Sequence, residues 1–231
     1  MTGMLLPLPS PVSLYRSPSA RNPPLRPGGA VLIRMAGSAE KTTTPEAPSG
    51  GGEGPADPRA PVTLLFDEAE IARRVGALAP EISRAIADGF TIVALLKGAF
   101  VFVADLVRAL DGVGRHPRVE FITLSSYGRG RESAGTVRLI GELPDGVAGR
   151  AVLLVDDVAD TGRSLAFARD LLLGQGTARI WICALVDKPS RRKVEIAVDF
   201  TGFTIRNRFV VGYGIDYAEQ YRHLPYIGAL D

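Results

Sequence analysis

Three short runs, "TIVALL" at 91–96, "AVLLV" at 151–155 and "WICALV" at 181–186, are almost wholly apolar, and each stops abruptly on chemistry: at Lys97-Gly98, Asp156-Asp157 and Asp187-Lys188. A strand apolar on both faces has to be covered on both faces, which a sheet with one wet side does not provide. Segments of helix length, "AFVFVADLVRAL" and "GRSLAFARDLLLGQG", stand among these runs. The alternation predicts an α/β chain with a mainly parallel central sheet flanked by helices. "RVEFITLSSYG" and "TVRLIGEL" read as further strands, and the aromatic, Gly-bearing tail "DFTGFTIRNRFVVGYGIDYAEQYRHLPYIGAL" as a smaller appended layer.

Ahead of the first apolar run, Ile71, Val75, Leu78, Ile82 and Ile86 recur at spacings of three and four. That places them on one helical face, with Asp67 as N-cap, Gly89 as stop and Pro80 as a break or kink inside. Folding is expected from about Val62. Residues 1–60, rich in Pro, Gly and Ser, bury too little apolar area to offset the entropy of ordering and are expected to form a disordered extension, leaving 61–231 as one domain. The acid-free start, with its Arg and Ser, overlaps in composition with a targeting peptide. Its repeated Pro would break the amphipathic helix such peptides form, and Met35 offers an alternative start.

Bulk composition excludes several classes. A net charge of +2 over 231 residues argues against a dedicated nucleic-acid face. No window reaches the roughly 18 apolar residues of a membrane span, so a soluble, cytoplasmic protein is expected. A single cysteine excludes an intramolecular disulfide and, with two histidines, argues against a Cys/His zinc site; Cys183 reads as a buried thiol.

In open parallel sheets, ligands bind beyond the carboxyl ends of the strands. At one such end "AVLLVDDVADTGRS" leads into a helix beginning near Arg163, so main-chain N–H groups of Asp160 to Ser164 point outward without intrahelical partners. Such a turn suits a phosphate dianion, Gly162 allowing close approach and Thr161 and Ser164 adding hydroxyl donors. Asp156 and Asp157 have the wrong sign for that phosphate. Their partners are hydroxyls or, through water, Mg²⁺. A ligand with a phosphate at one end and a vicinal diol nearby is a phosphorylated ribose. A plainer reading, Asp160 as helix N-cap with solvated acids beside it, fits the same spacing.

This stretch resembles the phosphoribosyl-pyrophosphate (PRPP) motif of the type I phosphoribosyltransferases. "LLKGAFVFVADLVRAL", "SSYG", "LVDKPSRRKVEIAVDFTGF" and "FVVGYGIDYAEQYRHLPYIGAL" are similar to the hypoxanthine (hypoxanthine-guanine) branch of that family, from about Val62 to the end. The resemblance implies the type I fold, with a small hood made by N- and C-terminal segments. It also implies purine salvage: hypoxanthine or guanine plus PRPP giving IMP or GMP plus pyrophosphate, with Mg²⁺. Family members are commonly dimers or tetramers, so a homodimer or homotetramer is implied.

Residue by residue, the acid matching Asp160 lies near purine N7 as general base or proton partner, and Asp156 and Asp157 match the acids that engage the ribose hydroxyls and metal. Many relatives have Glu at the first, so Asp156 has a shorter reach. Asp160, Thr161, Gly162, Arg163 and Ser164 match the 5′-phosphate loop. Lys97 and Gly98 match the pyrophosphate loop, where the family often has a non-proline cis peptide before the Lys, and Arg222 matches a second pyrophosphate contact. Lys188 matches the donor to the purine's exocyclic O6. A cation there favours a 6-oxopurine over adenine, whose amino group is itself a donor. Phe209 matches the aromatic that stacks on the ring, Val210 the residue whose backbone reads the other edge, and Asp216 a ligand to a second Mg²⁺. Ser125 and Tyr127 match the tip of a loop that closes over the site and excludes water. Arg129 and Arg131 in that loop read as solvated charge.

Two other classes compete. A regulatory protein of the same fold should bring a basic face or an added DNA-binding domain. A receiver-type signalling domain also has paired acids after a strand, but leaves the "DTGRS" turn unexplained. Orotate, adenine or xanthine enzymes differ in base specificity, and hypoxanthine against guanine depends on contacts at C2.

Overall fold

The computed structural model describes residues 61–127 and 136–230; the expected extension and the loop residues Arg129 and Arg131 lie outside them. Strand β1 (Val62–Phe66) leads into helix α1 (Glu68–Ala85), followed by β2 (Thr91–Leu96), α2 (Phe100–Asp111), β3 (Arg118–Tyr127) and β4 (Thr136–Ile140). Then come β5 (Ala151–Ala159), α3 (Arg163–Gly174), β6 (Arg179–Asp187), β7 (Phe200–Thr204), β8 (Phe209–Val211) and β9 (Ile227–Leu230).

Asp67 caps α1 as its residue type predicts: its carboxylate accepts the Glu70 N–H at 2.7 Å, while the Glu70 side chain accepts the Asp67 N–H at 2.9 Å. The helix runs unbroken through Pro80 and ends at Ile86, three residues before Gly89. Pro80 deprives only the carbonyl four residues back, on Gly76, and that residue is exposed, so the lost donor leaves no buried group unpaired.

Six strands form the main sheet in the order β4-β3-β2-β5-β6-β7, parallel except for β4, which pairs antiparallel with β3. A separate three-stranded antiparallel sheet, β1-β9-β8, joins the first strand to the last two and makes the expected hood. The tail is thus divided rather than forming one appended layer. Its first strand, β7, extends the main sheet beside β6, because Gly202 lets the backbones meet: a Cβ there would fall 2.3 Å from the Leu185 carbonyl oxygen. Phe203 on that strand stacks on Phe66 of the hood, ring centroids 3.9 Å apart. Arg74 of α1 locks the edge, donating to the carbonyls of Thr201 and Gly202 at 2.6 and 2.9 Å.

Both faces of the sheet are buried, as the unbroken apolar runs demand. On one side Ile92, Leu153, Cys183 and Leu185 pack with α1, α2 and the hood. On the other Val93, Leu154 and Ile182 pack with Leu165, Ala168 and Leu172 of α3. Burial pushes the Cys183 thiol well above its ordinary pKa, in keeping with an inert core residue. Among the described residues no helix is long and apolar enough to cross a membrane. From β2 the sheet proceeds to β3 on one side and through β5 to β6 and β7 on the other. The carboxyl ends of β2 and β5 therefore flank the topological switch point, where such sheets bind ligands.

Candidate active site

At that switch point β5 delivers Asp156 and Asp157. Asp156 is buried, and desolvation together with the neighbouring Asp157 charge pushes its carboxyl well above the usual range. Burial raises Asp157 as well, while the charge of Arg222 acts the other way on it. Adjacent carboxyls held out of water ionise reluctantly, and a cation or a set of hydroxyl donors relieves them. The two acids face different partners. Asp156 lines a cleft of about 50 Å³ with Asp160, Thr161, Gly162 and Ser164, whereas the carboxylate of Asp157 lies against Gly98 of the β2–α2 connection.

Helix α3 opens from the cleft. Its N-cap is Gly162 at φ +83°, which has no side chain to cap the helix; only the Arg163 N–H meets a side-chain acceptor, Thr161 Oγ1 at 3.5 Å, so the following N–H groups face the cleft. A Cβ on Gly162 would fall 2.9 Å from Ile196 Cγ2 and 3.0 Å from the Val194 carbonyl oxygen. The loop is seated on the β6–β7 connection, whose Lys193 and Val194 N–H groups donate to the Thr161 carbonyl at 3.0 and 3.2 Å.

Asp160 is not the helix cap. Its carboxylate turns to the end of β6, with Oδ2 3.6 Å from Lys188 Nζ and Oδ1 accepting from Arg191 Nε at 3.2 Å. Arg192 fixes the backbone beneath it, donating to the Asp160 carbonyl at 2.6 Å and also to the Ala159 carbonyl and the Asp187 carboxylate. Lys188 is only 5% exposed. Desolvation lowers its ammonium pKa, and the Asp160 charge opposes that shift.

Across the switch point, the Leu96–Lys97 peptide is cis. A Cβ on Gly98 would lie 1.6 Å from Asp157 Oδ2, and one on Gly214 (φ +97°) would lie 2.4 Å from the Gly98 carbonyl oxygen. Gly214, Gly98 and Asp157 thus stack with no room for side chains. Lys97 Nζ reaches Glu219 Oε1 at 2.9 Å. Arg222 donates from Nη1 to the Gly214 carbonyl at 2.8 Å, and its Nη2 lies 2.7 Å from Asp216 Oδ1.

The remaining site residues lie on other elements. Phe209 and Val210 belong to β8 of the hood; Val210 is buried with its side chain in the core, while the Phe209 ring meets Tyr217 edge-on at 5.2 Å. Ser125 and Tyr127 are within the β3–β4 ladder, opposite Arg138 and Thr136, and not at a loop tip. The span 128–135 beyond that ladder lies outside the described residues.

The donors suit Mg²⁺ in one respect. Among the described residues no three acids, histidines or cysteines converge to hold a metal unaided. A buried and a half-buried carboxyl with raised pKa values, beside the N-terminal turn of α3, are a donor set of the kind that binds an ion taking one or two carboxylates and completing its shell with other oxygens. Sequence reasoning passed over Arg191, Arg192 and Glu219. The basic cluster "SRRK" directly after Lys188 was the available signal for the first two.

Comparison with known proteins agrees with this geometry. The model of the phosphoribosyl transferase domain matches residues 62–218. The hypoxanthine phosphoribosyltransferase of Escherichia coli K12 is 43% identical over 170 residues, which span 72% of this chain and 94% of the relative. The hypoxanthine-guanine phosphoribosyltransferase of Aquifex aeolicus is 44% identical over 164 residues, 70% of this chain and 90% of the relative. A crystal structure of a hypoxanthine-guanine phosphoribosyltransferase from Bacillus anthracis superposes with a TM-score of 0.68 at 37% identity, covering 73% of this chain and 98% of that one.

Proposed function

The chain belongs to the phosphoribosyltransferase family, and we propose that residues 61–231 form a purine-salvage enzyme in which Asp160 manages the proton of the incoming base. The enzyme transfers the 5-phosphoribosyl group of PRPP to hypoxanthine or guanine, giving IMP or GMP and pyrophosphate. Joining purine N9 to C1′ while pyrophosphate departs develops oxocarbenium character on the ribose. The site therefore has to neutralise the leaving group, hold the sugar and control the purine's proton.

Each need has a group at hand. The first turn of α3 takes the 5′-phosphate on main-chain N–H groups and the hydroxyls of Thr161 and Ser164. Asp156 and Asp157 accept from the ribose hydroxyls. Lys97, the Gly98 N–H and Arg222 hold the pyrophosphate. Lys188 donates to O6 of the purine, Phe209 stacks on its ring, the Val210 main chain reads its far edge, and Asp160 faces N7. Ser125 and Tyr127, at the end of β3, are assigned to closing the site over its ligands. Asp156 and Asp157 would hold one Mg²⁺ and Asp216 a second, and these ions would add charge neutralisation to the leaving group. A cytoplasmic homodimer or homotetramer accords with this reading.

The observation that carries the proposal is the placement of the Asp160 carboxylate between Lys188 and Arg191, at 3.6 and 3.2 Å, on the rim of the phosphate turn. A carboxylate used as a helix cap would have faced the N–H groups of α3. Replacing Asp160 by Ala is expected to lower kcat by about 10²- to 10⁴-fold while PRPP still binds. Near-normal turnover of that variant would remove the proton role from Asp160.

A further inference from the structure

We propose that Glu219 is an internal counter-anion, which holds Lys97 and Arg222 in the ligand-free enzyme and is displaced when pyrophosphate, free or as part of PRPP, enters. The inference rests on the reading of Lys97 and Arg222 as the pyrophosphate contacts. The two carboxylate oxygens of Glu219 divide between these cations: Oε1 lies 2.9 Å from Lys97 Nζ and Oε2 3.5 Å from Arg222 Nη2. Lys97 and Glu219 are 122 positions apart in sequence, so the bridge ties the β2–α2 connection to the tail.

The backbone is arranged for this reach. Ala218, Glu219 and Tyr221 all have left-handed φ angles, +50°, +61° and +72°, a conformation that L-residues adopt only at a cost. The Glu219 N–H donates to Asp216 Oδ2 at 2.9 Å, which fixes the turn from which the side chain projects.

Mobility is unequal among the three groups. The Arg222 side chain is 20% exposed and anchored on the Gly214 carbonyl, while Lys97 and Glu219 are 63% and 65% exposed. Arg222 Nε is buried without a partner among the described residues, an N–H that the carboxylate leaves unused. Glu219 can therefore swing into solvent while Arg222 stays in place. Pyrophosphate, with more charge and two phosphoryl groups, outcompetes one carboxylate, and the carboxylate returns when it leaves. The exposed ion pair sets the scale: removing such a competitor should tighten pyrophosphate binding by roughly 2- to 5-fold.

The test is calorimetric titration of the full chain with pyrophosphate in Mg²⁺ buffer, for wild type, Glu219→Gln, Glu219→Asp, Lys97→Met and the double variant Lys97→Met/Glu219→Gln. The expected result is tighter pyrophosphate binding by Glu219→Gln with unchanged GMP affinity, partial return toward wild type in Glu219→Asp, and a smaller gain from Glu219→Gln in the Lys97→Met background. Equal or weaker pyrophosphate binding by Glu219→Gln overturns the proposal. Should Lys97→Met itself leave pyrophosphate affinity unchanged, the assignment of Lys97 to the pyrophosphate fails instead.

Discussion

The α-carbon of Gly98 sits against the carboxylate of Asp157, so close that a Cβ there would fall 1.6 Å from Asp157 Oδ2. The loop assigned to pyrophosphate and the strand end assigned to ribose are thereby locked to one another at the switch point between β2 and β5. Gly98→Ala must push either the loop or the acid aside. Because displacements of about 1 Å in a reacting constellation cost on the order of 10²-fold, kcat/KM for PRPP should fall by that factor. Overpacking of this kind costs about 1–3 kcal/mol, so the melting temperature should fall as well, and steady-state kinetics well below the melt isolates the effect on PRPP.

Asp156 and Asp157 make the ligand-free protein sensitive to pH. A carboxyl whose folded pKa is raised stabilises the fold fully below the ordinary carboxylate range, and that contribution is lost as pH rises through the raised value. The melting temperature of the ligand-free enzyme should therefore fall from mildly acidic pH towards neutrality. Asp156→Asn should flatten that slope, and Mg²⁺ with PRPP should restore stability at neutral pH. A wild-type slope in the Asn variant would show that the pair is not its source.

Lys188 is a nearly buried donor, and its chemistry favours an acceptor at the purine 6-position. Lys188→Gln keeps an N–H but adds a carbonyl that can accept from an amino group. Hypoxanthine kcat/KM should drop by about 10- to 10³-fold, the ratio to adenine should narrow, and the KM for PRPP should hardly move. Competition between the two bases in one reaction measures the ratio directly.

Arg192 acts at one remove from the chemistry. Its guanidinium supplies donors to the carbonyls of Ala159 and Asp160 and pairs with Asp187, so Arg192→Met leaves all three short of partners. The expected loss is about 10- to 10²-fold in kcat, with little change in the KM for hypoxanthine. Arg192→Lys should recover part of it. An unchanged kcat would show that Asp160 needs no such support.

The strands and helices were legible because the sheet is buried on both faces: unbroken apolar runs such as "AVLLV" and "WICALV" have few other uses in a chain of this composition. The start of α3 was legible for a similar reason, since Gly162 followed by a helix-length apolar pattern marks the turn where the helix opens. Sequence left the task of Asp160 open between helix cap and proton partner. Tertiary placement decided where its carboxylate goes, because Lys188 and Arg191 arrive from the turn after β6, about thirty positions away, and local spacing carries no trace of that approach. The tail read as one appended layer because nothing local marks Gly202 as the point where β7 closes on Leu185 and joins the main sheet. Glu219 gives no sequence signal at all, since an exposed acid in a polar tail is ordinary until Lys97 and Arg222 are brought to it.

The most direct test of the account is pyrophosphate release from PRPP by the purified full-length chain in Mg²⁺, with hypoxanthine, guanine, xanthine and adenine supplied in turn. The account predicts release with hypoxanthine, guanine or both, and adenine well below them. Release with adenine alone, or with none of the four bases, would contradict it.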